Sequence, residues 1–247
     1  PASGSSSEAR TRPASLARPD FASLVAQVED AGEYIAASIM RLQLRVVSLE
    51  DGALTFARAP EFKDKIEAEL RSALATERPA DDLLIAVADM RERMAKENGT
   101  DNPWSVKHVR GGLVDCEFIA QYLQLRHAHE NPEILDTGTS AAFAKLRDAG
   151  FLESDVAEDL IDATCLWRRL QGLLRLTLEG SHDPDNFPKP LRQQLADAAG
   201  VENYETLDRL VRETAKRTYI LFNDIIADPA NAVAASRDGQ TGGDSEQ

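Results

Sequence analysis

The residues of this sequence that could do chemistry are concentrated in one short segment near residue 110. Lys107, His108 and Arg110 precede the pair Gly111-Gly112, and a helix-like pattern begins directly afterwards. Glycine lets the backbone approach a ligand closely, and the N-terminus of a helix presents free N–H groups that attract anions. The segment is therefore a candidate phosphate site. The alternative is a tight turn, which is the commoner reason for a glycine pair before a helix.

Two carboxylates, Asp115 and Glu117, follow the glycines and raise the question of a metal site. On a helix, residues two apart point about 200° away from each other, so the pair could not share one ion. In an extended segment both side chains would face the same side. Magnesium usually takes one or two protein carboxylates beside substrate phosphates, so Asp115 alone could be a ligand in either geometry. Alternatively, Asp115 stabilises the first turn of a helix electrostatically.

This segment carries a resemblance to a known family. Residues 111–121, GGLVDCEFIAQ, are similar to the Gly-Gly-x-x-Asp-Ile-Glu-Phe element of the bifunctional enzyme that adenylylates and deadenylylates glutamine synthetase. They resemble the version in its C-terminal, adenylyl-adding half, with Cys116 where isoleucine or valine is usual. Residues 131–137 and 166–171 also look familial, and the resemblance covers roughly residues 53–227.

The resemblance implies a helical domain without its catalytic core. In that family each half is a nucleotidyltransferase core followed by a helical domain, and the core holds its metal with an Asp-x-Asp pair. The only Asp-x-Asp of this sequence is Asp183-Pro184-Asp185, in a proline-rich loop with no strand pattern before it. The sequence thus resembles the helical domain after the C-terminal core, and the chain alone is expected to be inactive.

The resemblance also implies roles for the residues of the segment. The family transfers AMP from ATP to a tyrosine of glutamine synthetase, so ATP and Mg²⁺ are the implied cofactors. Asp115 and Glu117 are the implied catalytic residues, with Asp115 as the metal ligand, and Lys107, Arg110 and Gly111-Gly112 would hold the nucleotide. The implied partners are glutamine synthetase and a nitrogen-signalling regulatory protein. The alternative is a stand-alone interaction module, or a truncated product, that binds one of these partners.

Composition limits the class of protein. The net charge is −14, from 42 acidic and 28 basic residues, which argues against a nucleic-acid binder because such proteins present basic surfaces. The two cysteines, Cys116 and Cys165, are too far apart in sequence for a metal motif and form no disulfide framework. A reducing compartment is therefore expected, and with no apolar run long enough for a membrane span we expect a cytoplasmic protein.

Hydrophobic periodicity predicts an all-α fold, an antiparallel bundle of about seven or eight helices with disordered termini. The expected helical domain covers residues 20–227, between polar termini at residues 1–19 and 228–247. Residues 21–49 read as helical, although alternation over residues 42–46 leaves a strand as the alternative. The segment after Gly112 has apolar residues on more than one face and is expected to be the central helix.

A later predicted helix, over residues 155–179, carries Arg168, Arg169 and Arg175. These arginines form either a solvated face or a contact with an acidic partner or a nucleotide phosphate. Other helices are expected over residues 60–74, 79–96, 190–199 and 204–226, with a short one ending at Gly150.

Overall fold

The computed structural model describes residues 45–50, 53–57, 60–177 and 183–241, with side chains described over residues 67–177 and 183–237. The chain divides into two compact units, Pro1–Glu69 and Leu70–Gln247. The predicted disordered segment 1–19 and most of the predicted helix over residues 21–49 lie outside the described residues.

The described part of the first unit contains a β-hairpin. Strand β1, Arg45–Glu50, pairs antiparallel with β2, Ala53–Ala57, and the register joins Glu50 to Ala53. The helix predicted over residues 21–49 is therefore wrong at its last five positions, and the strand alternative over residues 42–46 is correct at residues 45 and 46, the first two of β1. The physical reason is local: β1 and β2 are rich in β-branched and aromatic residues, and the sequence between them is Asp-Gly, the typical dipeptide of a tight hairpin.

The remaining described chain is helical, which confirms the predicted all-α bundle. A π-helical turn, Asn223–Ala227, joins the last two helices, so their number is eight, or seven if this pair is counted as one. The helices are α1 Pro60–Leu74, α2 Ala80–Asn98, α3 Leu113–His127, α4 Thr139–Asp148, α5 Ser154–Thr177, α6 Lys189–Ala199, α7 Tyr204–Phe222 and α8 Asp228–Thr241. No helix in this described part is both long and apolar enough to cross a bilayer.

The ends of the helices follow from their capping residues. Gly200 ends α6 in the left-handed region, at a φ of 74°, where a glycine has no steric penalty. Three residues later, the side chain of Asn203 accepts a hydrogen bond of 2.9 Å from the N–H of Thr206 and begins α7. The short link between these caps brings α6 and α7 against each other.

Helix α3 is the centre of the bundle, as its apolar pattern predicts. It packs against α2, α4, α5 and α7. Cys116 and Ile119 on α3 and Trp167 on α5 have no exposed surface. Since every residue of the first turn of α3 is buried, Asp115 lies at the core and not at an outer edge.

The C-terminal tail was expected to be disordered, and this prediction is wrong for residues 228–241, which form α8. Ala230 is buried, α8 packs against α2, and Arg237 lies 2.8 Å from Asp82 of that helix. The segment is poor in large apolar residues but rich in alanine, which has the highest helix propensity. Pro229 stands in the first turn, where a helix needs no N–H donor.

The two thiols are expected to differ sharply in reactivity. Cys116 has no exposed surface, and burial raises the pKa of its thiol to about 12, whereas Cys165 is half-buried. Because the thiolate is the reactive form, a thiol reagent at pH 8 should modify one cysteine of the native chain and both in denaturant. Cys165→Ser should abolish the native reaction, and modification of two thiols in the native protein would contradict the packing described for α3.

Candidate functional site

The loop between α2 and α3 folds back over the first turn of α3. The N–H of Leu113 donates to the carbonyl of Val106 at 2.9 Å, and the N–H of Val114 donates to the carbonyl of Lys107 at 3.2 Å. The next two N–H groups of the helix both donate to the carbonyl of Gly112. The N–H groups that would attract a phosphate at the start of α3 are therefore already bonded within the chain.

The glycines expected to hold a nucleotide are packed inside the protein. Gly111 has a φ of +79°, and a Cβ on it would lie 1.7 Å from the carbonyl oxygen of Ala215 in α7. A Cβ on Gly112 would lie 2.6 Å from the carbonyl oxygen of Val106. Both positions require glycine because of neighbouring backbone. Gly111 lets the loop pack against α7, Gly112 lets the loop close on itself, and the pair forms a tight turn, the alternative left open by the sequence.

Asp115 is held in an internal ion pair. The carboxylate has no exposed surface; its Oδ1 accepts a hydrogen bond from Nε of Arg91 in α2, and its Oδ2 accepts one from the N–H of Gly111. Arg91 is only 2% exposed. This one carboxylate therefore ties together α2, the glycine turn and the first turn of α3.

The donor set around Asp115 does not fit a magnesium ion. Both of its oxygens already accept hydrogen bonds, and the neighbouring guanidinium is a cation, whereas Mg²⁺ needs free carboxylate oxygens. Glu117 cannot add to the site, because α3 is helical here and its side chain lines a different cavity with Gln121 and Gln124. Among the described residues, no group of three or more His, Cys, Asp or Glu side chains is placed to hold a metal.

Arg110 is also engaged by other residues of the chain, at a partly exposed position. Its Nη2 pairs with Glu92 of α2, and its guanidinium lies 5.7 Å from the ring centroid of Tyr219 and 6.0 Å from that of Phe222. Cation–π contacts of this kind anchor a guanidinium over the aromatic face. Arg110 therefore fastens the loop to α2 and α7, and it does not line the cavity beside Lys107.

Lys107 and His108 line a basic cavity with two residues of α5, Gln171 and Arg175. The volume of this basic cavity is about 280 Å³, and its lining contains no carboxylate. Partial burial, together with the positive charges of Lys107 and Arg91, lowers the pKa of His108, so the surroundings of the ring favour its neutral form. The arrangement is suited to an anion.

The three arginines considered on this helix separate in the structure. Arg168 donates to the hydroxyl of Thr139 at 3.0 Å, and Arg169 lines another cavity that also contains Asp159 and Asp162. Only Arg175 lies at the basic cavity. The available signal was its spacing of four residues from Gln171, which places both side chains on one face of α5. The sequence could not show that the loop before α3 would meet this face.

Trp104 forms an ordered wall of the basic cavity. Its ring stacks on Tyr204 with centroids 5.2 Å apart and meets the edge of Phe187 at 5.3 Å. Its Nε1–H donates to Asp208 of α7 at 2.8 Å. These contacts hold the loop just before Lys107 in the sequence, and the Arg91–Asp115 pair holds the chain after His108, so both ends of this short segment are anchored.

Comparisons with known proteins agree with the resemblance seen in the sequence. The profile of the family described as GlnD PII-uridylyltransferase matches residues 83–226. A bifunctional glutamine synthetase adenylyltransferase/adenylyl-removing enzyme of Rhodopseudomonas palustris (strain TIE-1) is 39% identical over 180 residues, 70% of this chain and 18% of the relative. Its namesake from strain BisB5 is 35% identical over 223 residues, 88% of this chain and 21% of the relative.

A third relative of the same name, from Bradyrhizobium diazoefficiens, is 34% identical over 189 residues, 74% of this chain and 19% of the relative. The chain thus spans about a fifth of the length of the curated relatives it matches. The span matched by the family profile includes the glycine turn, the Arg91–Asp115 pair and every residue that lines the basic cavity.

Proposed function

Since the chain belongs to the family described as GlnD PII-uridylyltransferase, we propose that it acts as a helical domain of a glutamine synthetase adenylyltransferase, the one that follows the C-terminal nucleotidyltransferase core. The observation that carries this proposal is the buried Arg91–Asp115 pair, inside the span matched by the family profile. In this proposal Asp115, which belongs to the most specific motif of the chain, stabilises the fold of the helical domain. The catalytic metal site then belongs to the core.

The single Asp-x-Asp of the sequence supports this division of labour. The carboxylate of Asp183 accepts hydrogen bonds from the N–H of Asp185 at 3.1 Å and from the side-chain amide of Asn186 at 2.7 Å. It caps a short 3-10 turn, Pro184–Asn186. A carboxylate engaged in this way is a turn-forming residue, so this pair does not replace the metal-binding pair of a nucleotidyltransferase core.

The remaining roles follow from the proposed enzyme. Its substrate is a glutamine synthetase, ATP and Mg²⁺ are bound by the core, the setting is the cytoplasm, and a nitrogen-signalling protein is the second partner. The helical domain offers the core a rigid body, since α3 is packed on four sides. In such transfers the protein contributes mainly by positioning and by offsetting charge, and a rigid neighbouring body serves the first of these.

The proposal predicts that the chain alone transfers no AMP. The purified chain is incubated with glutamine synthetase, ATP labelled in its α-phosphate, and Mg²⁺, and label on glutamine synthetase is measured. Because Asp115 is already paired with Arg91, and no three described His, Cys, Asp or Glu side chains are grouped to hold a metal, we expect no incorporation. Label transferred by the chain alone would contradict the proposal.

A chimera tests the same proposal in the positive direction. In the relative from Rhodopseudomonas palustris strain TIE-1, the matching region is replaced by residues 70–241 of this chain. The product is checked for helical structure by circular dichroism. We expect this chimera to adenylylate glutamine synthetase, since this chain is 39% identical to the relative over 180 residues and would replace the helical domain proposed to be its equivalent. A folded chimera that incorporates no label would contradict the proposal.

A further inference from the structure

We propose that the basic cavity binds a phosphate group of a small molecule through Lys107, His108, Gln171 and Arg175. These four side chains come from two separate segments, the loop before α3 and the C-terminal half of α5. Trp104 and Leu174 supply apolar walls beside them. This inference does not rest on the proposed function, because it uses only the geometry and charge of described residues.

The basic cavity differs in charge from the chain as a whole and from three other described cavities. The whole chain carries a net charge of −14, yet Lys107 and Arg175 meet here without a carboxylate in the lining. Three other cavities in the described part of the chain all include acidic side chains. These are Asp159, Asp162 and Glu213 in the first, Glu77 and Glu130 in the second, and Glu117 and Asp136 in the third.

The two cations of the basic cavity are available to a ligand. Both Lys107 and Arg175 are exposed, and neither forms an ion pair with any carboxylate whose side chain the structure describes. Arg110, only three residues from Lys107, shows the contrast, because Glu92 already neutralises it. An anion that enters the basic cavity therefore gains two charge-assisted contacts without first breaking a salt bridge in the described chain.

The chemistry of the lining fits phosphate. The guanidinium of Arg175 can bind two phosphate oxygens at once, and the ammonium of Lys107 acts as a point charge. The amide of Gln171 and a ring N–H of His108 are further donors. Each of these four side chains can donate a hydrogen bond, which agrees with a ligand that presents only oxygen acceptors.

The size of the basic cavity limits how much of the ligand it encloses. Its volume of about 280 Å³ is just below that of typical small-molecule pockets, which have about 300–1,000 Å³. A phosphate or pyrophosphate group fits inside it, whereas a whole nucleotide would extend beyond it. Free phosphate, pyrophosphate and the phosphates of a nucleotide therefore share the chemistry that this cavity recognises.

The cavity is held in shape before any ligand arrives. Trp104 is fixed by Tyr204 and Asp208, and the carbonyls of Val106 and Lys107 are bonded to the first N–H groups of α3. Gln171 and Arg175 stand one helical turn apart on α5. Such preorganisation lowers the entropic cost of binding, so a small group could bind measurably.

The test is calorimetric titration of the full chain, without Mg²⁺, with orthophosphate, pyrophosphate and ATP in separate arms. We expect saturable binding in at least one arm, and the tightest arm identifies the source of the phosphate group. Lys107→Gln and Arg175→Gln should each weaken it by about tenfold or more, since each removes a charge-assisted hydrogen bond. Both residues are exposed, so circular dichroism of the variants should match that of the parent chain.

Arg169→Gln is the matched control, because it removes a charge that is also exposed and on the same helix but lines a different cavity. We expect it to change the affinity by less than about twofold, in line with a screened surface charge. Absence of saturable binding in all three arms would overturn the proposal. A loss in Arg169→Gln equal to that in Arg175→Gln would also overturn it, since the binding would then reflect overall charge.

Discussion

Replacing Asp115 with alanine is expected to lower the free energy of unfolding by about 3–5 kcal/mol, the usual cost of removing one partner of a buried ion pair. Arg91 is 2% exposed, and its Nη2 has no hydrogen-bond partner in the described part of the chain. Without Asp115 the guanidinium would stay buried without its counter-charge. The N–H of Gly111 would lose its acceptor as well.

Urea unfolding followed by circular dichroism measures this effect. Glu117→Ala is the matched control, because it removes the same charge from the same helix two residues away, at a half-buried position. We expect the control to cost no more than about 1 kcal/mol, as is common for surface substitutions. If Asp115→Ala were as mild as Glu117→Ala, the buried ion pair would not stabilise the fold.

Replacing Gly111 with alanine is expected to cost about 3–5 kcal/mol, from two sources. The backbone of Gly111 has a φ of +79°, which strains any residue with a Cβ, and that Cβ would lie 1.7 Å from the carbonyl oxygen of Ala215. Since both contacting groups are backbone, relief requires that the loop move away from α7. Such a movement would also disturb the hydrogen bond between Gly111 and Asp115.

Gly150→Ala is the control that measures the backbone strain without the steric clash against Ala215. Gly150 has nearly the same backbone conformation, with a φ of +77°, but no atom within 4 Å of the position of a Cβ. It should therefore lose only about 1 kcal/mol, the strain contribution alone. Equal losses for Gly111→Ala and Gly150→Ala in urea unfolding would show that the close approach to Ala215 is not maintained in solution.

The helical body could be predicted because its signals are local. Apolar residues recur with helical spacing, and Gly200 and Asn203 mark helix ends by their own conformational preferences. The two errors also have local causes. The hairpin at residues 45–57 contains apolar residues that fit both periods over so short a span, and α8 owes its stability to alanines, which a search for large apolar residues overlooks.

The role of Asp115 could not be decided from the sequence, because its partner is distant. Arg91 stands 24 residues earlier, on another helix, and no pattern within residues 107–117 refers to it.

A glycine pair before a helix suits both phosphate binding and close backbone packing. The two are distinguished only by where the N–H groups donate, and here they donate to Val106, Lys107 and Gly112. Arg175 was visible as a candidate, but its meeting with Lys107 is a property of the tertiary structure.

The double-mutant cycle of Arg91 and Asp115, followed by urea unfolding with and without Mg²⁺, distinguishes an internal ion pair from a metal site most directly. We predict that Arg91→Ala and Asp115→Ala are each strongly destabilising, that the double variant is little worse than either, and that the coupling is about 2 kcal/mol or more. Mg²⁺ should leave all four stabilities unchanged. Additive losses, together with a stabilisation by Mg²⁺ that disappears in Asp115→Ala, would instead identify Asp115 as a metal ligand.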